Sequence, residues 1–84
     1  LFNNLKIGDT TMIRIKFDKE EEGKAFVRGV IANGSYSKAI DLMGWEDNDF
    51  LIAVRFGSTL DNTKAAIIDC LNKCEVRNYK IEGC

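Results

Sequence analysis

Cys70 and Cys74 stand four residues apart, a spacing that sets two thiols on one face of a helix, where a pair can ligate a soft metal or act in redox chemistry. The rest of such a site is missing. No histidine occurs anywhere in the chain, which removes His-bearing zinc sites, Ser-His-Asp and Cys-His relays and an imidazole switch near neutral pH. A C-x3-C pair with no further ligand cluster reads as two small apolar residues lining a helix, because free cysteine is mostly buried and inert. The run Glu20-Glu21-Glu22 holds acid groups, but nothing around it in sequence would desolvate a carboxyl, and three acids suit the positive end of a helix. Glu46-Asp47-Asn48-Asp49 lacks the full spacing and the glycine of a calcium loop and reads as a solvated turn. Gly57-Ser58-Thr59, entering a helix, offers N–H groups and hydroxyls to an anion, a weak candidate that ordinary helix capping also explains. No catalytic residue, metal or cofactor is expected, and the chain is not expected to be an enzyme.

The composition frames what remains. The chain has 84 residues, 12 Lys+Arg against 13 Asp+Glu for a net charge of −1, 45% hydrophobic residues and no proline. This length suffices for one hydrophobic core without a metal or disulfide framework. Three cysteines, an odd number, point to a reducing, cytoplasmic compartment. No leader pattern opens the sequence, and no apolar run approaches the ~18 residues of a membrane span. Residues 1–11 read as a polar N-terminal extension turning at Gly8-Asp9, and residues 12–84 as a single domain.

Alternation of Ile13, Ile15 and Phe17 with Arg14 and Lys16 predicts a half-buried strand over Met12 to Phe17. Asp18-Lys19-Glu20-Glu21 has the form of a capping box, and Phe26, Val27, Val30 and Ile31 recur at helical spacing up to the stop at Asn33-Gly34. A helix over about Lys19 to Ala32 follows; the competing pattern is a hairpin with Phe26 to Ala32 as a strand, which would put Arg28 on an apolar face. Lys38 to Trp45 and Phe50 to Phe56 flank a four-residue loop as a second strand pair. Ser58 caps a helix over Leu60 to Cys74, and Val76 to Glu82 is the last strand. The order is α+β, a ferredoxin-like βαββαβ two-layer sandwich with two helices on one face of an antiparallel sheet, or alternatively a β-meander with one helix packed on it.

With helices on one face, strict alternation directs Ile13, Ile15, Phe17, Ile40, Leu42, Phe50, Ile52, Val54, Phe56, Tyr79 and Ile81 inward. The open face then carries Met12, Arg14, Lys16, Asp41, Met43, Trp45, Leu51, Ala53, Arg55, Asn78 and Lys80, four basic residues against one acid. Three roles compete for it. It is a solvated surface whose charges prevent aggregation. It is a partner-binding face, with Met12, Met43, Trp45, Leu51 and Ala53 as an apolar strip. Or it binds single-stranded RNA, with Arg14, Lys16, Arg55 and Lys80 on phosphates and Trp45 stacked on a base.

Gly57-Ser58-Thr59-Leu60-Asp61-Asn62-Thr63-Lys64-Ala65-Ala66-Ile67-Ile68 through Leu71, followed by Val76 to Gly83, resembles the last helix and strand of the NIL domain. That family is a ferredoxin-like relative of the ACT regulatory domains, found beside methionine-import ATPases, where it binds an amino acid and dimerises. The resemblance implies a regulatory module with a small-molecule, amino-acid-like pocket, and it transfers no binding residue. The expectation is a small non-catalytic module that self-associates or binds a protein partner, with single-stranded RNA binding as the alternative and no membrane association.

Overall fold

The computed structural model describes residues 6–7, 10–55 and 57–83. The predicted turn at Gly8-Asp9, the inward Phe56 and the terminal Cys84 lie outside the described residues.

The first long strand is set by its period-two pattern: β2 spans Thr10–Phe17. It begins two residues before the expected boundary at Met12, and β1, Lys6–Ile7, pairs antiparallel with its first two residues. The helix reading of the next segment holds, with α1 over Glu20–Ala32 and its three glutamates in the first turn. The capping box does not form. Lys19 occupies the N-cap position without a side-chain bond, and the Asp18 N–H is drawn away to the Asn78 carbonyl at 3.2 Å.

A third, short helix was not anticipated. The side chain of Asn33 accepts the Ser35 N–H at 2.9 Å and starts α2, Gly34–Ala39, so one asparagine closes α1 and opens the next helix. Six residues are too few for a helical period to register in a sequence window. Strand β3 is therefore Ile40–Glu46, and it turns through Asp47 and Asn48 alone into β4, Asp49–Val54. The four-residue loop contracts because Asp47 adopts a positive φ of 58° and Glu46 pairs with Asp49.

Helix α3, Leu60–Lys73, is capped by the side chain of Thr59, one residue later than Ser58; Thr59 accepts the Asn62 N–H at 3.1 Å. Its C-terminal end is a Schellman closure. The Val76 N–H bonds the Leu71 carbonyl at 2.9 Å and the Glu75 N–H bonds that of Asn72 at 3.1 Å, with Glu75 at a left-handed φ of 59°. Val76 is thus spent on the cap and the core, and β5 runs over Tyr79–Gly83.

All pairings are antiparallel: β2 lies between β4 and β5, and β4 pairs β3 on its far side, giving the order β5-β2-β4-β3. Ile13 and Ile15 of β2 share their face with Ile52 and Phe50 of β4. That face enters one buried cluster with Phe26 and Val30 of α1, Tyr36 of α2, and Ile67, Cys70 and Leu71 of α3. The fold is α+β, a four-stranded antiparallel sheet with three helices, compatible with a two-layer sandwich. The one-helix meander does not form, because residues 26–32 are helical.

Candidate functional site

The alternation of β3 is broken once, and that break decides what the open face contains. Leu42 pairs with Ile52, but Gly44 pairs with Leu51, so Met43 is an extra residue opposite no partner. Each position beyond the bulge changes face. Trp45 pairs with Phe50 and shares its core-directed side, with ring centroids 4.8 Å apart in an edge-to-face arrangement. Its indole also lies 6.3 Å from the Phe17 ring and against α1 at Gly23, where an added Cβ would come within 2.5 Å of it. The placement of Trp45 on the open face by strict alternation is thus corrected, and Glu46 takes the open side in its stead, opposite Asp49.

Glu46 changes the electrostatics of that face. Arg14, buried at 4% exposure, donates one guanidinium nitrogen to Glu46 and the other to Asp49, the latter at 2.7 Å. The Glu46 hydrogen bond, helped by that of Asp49, holds the Arg14 pKa above its ordinary value although burial works the other way. Arg55 meets Asp41 at 3.7 Å and Lys16 meets Glu82 at 4.0 Å. Four basic side chains, Arg14, Lys16, Arg55 and Lys80, therefore face four acids, Asp41, Glu46, Asp49 and Glu82. The locally basic surface expected from alternation becomes a charge-balanced one.

The expected apolar strip is also divided. Met12 and Ala53 are buried at 4% and 2% exposure and pack with Leu51, which is half-buried. Met43 and Trp45 stay 52% and 42% exposed on β3. Among the described residues β3 pairs only with β4, so its outer edge presents unpaired backbone groups next to these two side chains.

On the helical side, Cys70 and Cys74 do share one face and both are free. They lie against Gly29 of α1, with their thiols directed at the carbonyls of Phe26 (3.8 Å) and Ala25 (3.6 Å). Burial, and then the neighbouring Cys74, push the Cys70 thiol up to about 12, the opposite of an activated nucleophile. Among the described residues, no three His, Cys, Asp or Glu side chains converge as a metal set.

A further cluster joins α2 to α3. The Tyr36 hydroxyl donates to Asp69, and Lys73 lies 3.6 Å from the same carboxylate and 5.5 Å from the centre of the Tyr36 ring. The shared hydrogen bond raises the Tyr36 pKa and lowers that of Asp69. At the weak anion candidate, the Thr59 hydroxyl is engaged by Asn62 and the Ser58 N–H donates to Arg55 at 2.9 Å, while Gly57 supplies a φ of 89°. These groups act as a cap.

Sequence reasoning placed Met12, Arg14, Lys16, Leu51, Arg55 and Lys80 on the open side and missed Glu46 and Asp49 as partners of Arg14. Gly44 inside a strand pattern was the available signal, since an isolated strand glycine marks a bulge. No helix among the described residues is long and apolar enough to cross a membrane. Compared with protein-family models, with curated proteins and with solved structures, the chain matches none of them.

Proposed function

We propose that this chain is a small, non-catalytic binding module of the ferredoxin-like βαββαβ kind that self-associates through the free edge of β3. The single observation that carries the reading is the joint exposure of Met43 and Trp45 beside a strand edge that no other strand pairs among the described residues. Strand addition supplies backbone hydrogen bonds along such an edge, and a large aromatic with a flexible methionine supplies the buried anchors. The strand order β5-β2-β4-β3 supports the fold assignment, because two crossover helices then join strands that have one antiparallel strand between them. The likeness to NIL and ACT domains favours the same assembly and adds regulation by an amino-acid-like ligand to the proposal. The RNA alternative draws less support, since Trp45 leaves the open face and Arg14 and Arg55 are engaged by acids.

Light scattering across a dilution series tests the self-association, together with the emission of the single tryptophan. The expected result is a concentration-dependent dimer with blue-shifted Trp45 emission, disrupted by Met43→Lys, a substitution at an exposed site that leaves the core untouched. A monomer at high micromolar concentration with constant Trp45 emission refutes it. For the RNA alternative, salt-sensitive retention of single-stranded RNA that is lost in Arg55→Glu would reverse the preference.

A further inference from the structure

Asn33-Gly34 is the one Asn-Gly pair in the chain, and it forms the junction between α1 and α2. In such a pair the glycine nitrogen can attack the side-chain amide carbon of the asparagine, because the second residue has no Cβ to obstruct the approach. Nothing shields the pair here. Asn33 is half-buried, Gly34 is exposed, and a Cβ added at Gly34 would meet no atom within 4 Å. The folded backbone nevertheless holds the reacting atoms apart. Ring closure needs the Gly34 nitrogen alongside the Asn33 Cβ about the Cα–C bond, whereas a ψ of 110° turns that nitrogen to the far side. Helix α2 itself fixes this angle: the Asn33 carbonyl accepts the N–H groups of Tyr36 and Ser37, both at 3.1 Å, and the Asn33 side-chain oxygen accepts the Ser35 N–H at 2.9 Å. These bonds are lightly held. Six residues are far too few for a helix that is stable by itself, and α2 buries only Tyr36, whose hydroxyl donates to the exposed Asp69.

We infer that Asn33 is a site of spontaneous deamidation, gated by the local opening of α2. In the open state the Gly34 nitrogen gives its proton to solvent and forms a bond to the Asn33 Cγ, and the Cγ–Nδ2 bond breaks with ammonia as the leaving group. Water then opens the ring at either carbonyl and leaves an aspartate or an isoaspartate at this position; no oxidant or reductant enters. The aspartate keeps the cap, since its carboxylate accepts the Ser35 N–H as the amide oxygen did. The isoaspartate adds one carbon to the main chain between α1 and α2, which removes the cap and draws Tyr36 away from Asp69.

The test is peptide mapping by mass spectrometry of the folded chain held at mildly alkaline pH, with isoaspartate scored by enzymatic methylation and the urea-unfolded chain as the reference. Deamidation should appear first at Asn33, about tenfold or more slower than in the unfolded chain, and Gly34→Ala should suppress it. Tyr36→Phe should speed it by about fivefold or more, the factor that one lost hydrogen bond adds to the opening equilibrium. Should that variant fail to fold, Asp69→Asn, at an exposed site, must speed the reaction instead. Gly23→Ala, in the first turns of α1, should leave the rate unchanged, because the opening is confined to α2. A first deamidation at another asparagine, a rate equal to that of the unfolded chain, a rate indifferent to Tyr36→Phe and Asp69→Asn, or one that rises as much in Gly23→Ala would each overturn the inference.

Discussion

Replacing Gly23 by alanine tests the bulge in β3, because the two possible faces for Trp45 predict opposite signs. In an open helix interior the substitution stabilises by about 1 kcal/mol, since alanine is the better helix former. Here the new Cβ would sit 2.5 Å and 2.9 Å from indole carbons of Trp45 and 2.9 Å from the Phe17 ring. Both neighbours are large rings held by others, Trp45 by Phe50 and Phe17 by Phe26. Overpacking of this kind costs ~1–3 kcal/mol, and pushing Trp45 off Phe50 forfeits a further ~0.5–1.5 kcal/mol of edge-to-face attraction. After the helix gain is subtracted, Gly23→Ala should destabilise by about 1–3 kcal/mol, read as a lower urea midpoint with an unchanged slope and a red-shifted Trp45 emission. Gly34→Ala, where a Cβ meets nothing within 4 Å, is the control and should be neutral or stabilising. In a Trp45→Ala background the Gly23→Ala change should lose most of its cost. A stabilising Gly23→Ala with unaltered emission would refute the bulge-driven placement and return Trp45 to the open face.

Further outcomes follow from the ion pairs, the helix closure and the buried thiol. Asp49→Asn should cost ~1–3 kcal/mol in urea denaturation and Glu46→Gln clearly less, because the Asp49 side chain is 19% exposed against 47% for Glu46; equal effects would contradict the unequal burial of the two partners. Glu75→Gly should raise stability by about 0.5–1 kcal/mol, since it removes a left-handed non-glycine at the Schellman position, and a loss would argue that the Glu75 side chain has another role. The Cys70 pKa is raised on folding, so the folded state keeps a proton that the unfolded state releases. The stabilisation is complete below the ordinary value of 9.0 and is lost as pH climbs towards about 12. Melting temperature should accordingly fall with pH above 9.0, and Cys70→Ala should flatten that slope; an undiminished slope in the variant would place the titration elsewhere, such as at Tyr36.

Local patterns were legible wherever a single period ran uninterrupted. The alternation through Ile13, Ile15 and Phe17, and the helical spacing of Phe26, Val27 and Val30, survive unchanged in the folded chain because each buries one continuous face. The short α2 was not legible, since its formation depends on the Asn33 cap and on Tyr36 reaching Asp69 on α3, thirty-three residues away. The candidate site was half legible. Six of its basic and apolar members were placed on the correct side, but Glu46 was hidden because a bulge has no counterpart in a two-residue period.

The sequence by itself determined the types of the longer elements, the face of β2 that enters the core, and the absence of any imidazole chemistry, since these depend on residue identity and near-neighbour spacing alone. The tertiary structure decided what the open face is. One unpaired residue at Met43 sends Trp45 against Gly23 and brings Glu46 beside Arg14, and both contacts join segments far apart in the chain. The physical reason is that strand parity is a property of the pairing with β4, fixed only when the ladder closes.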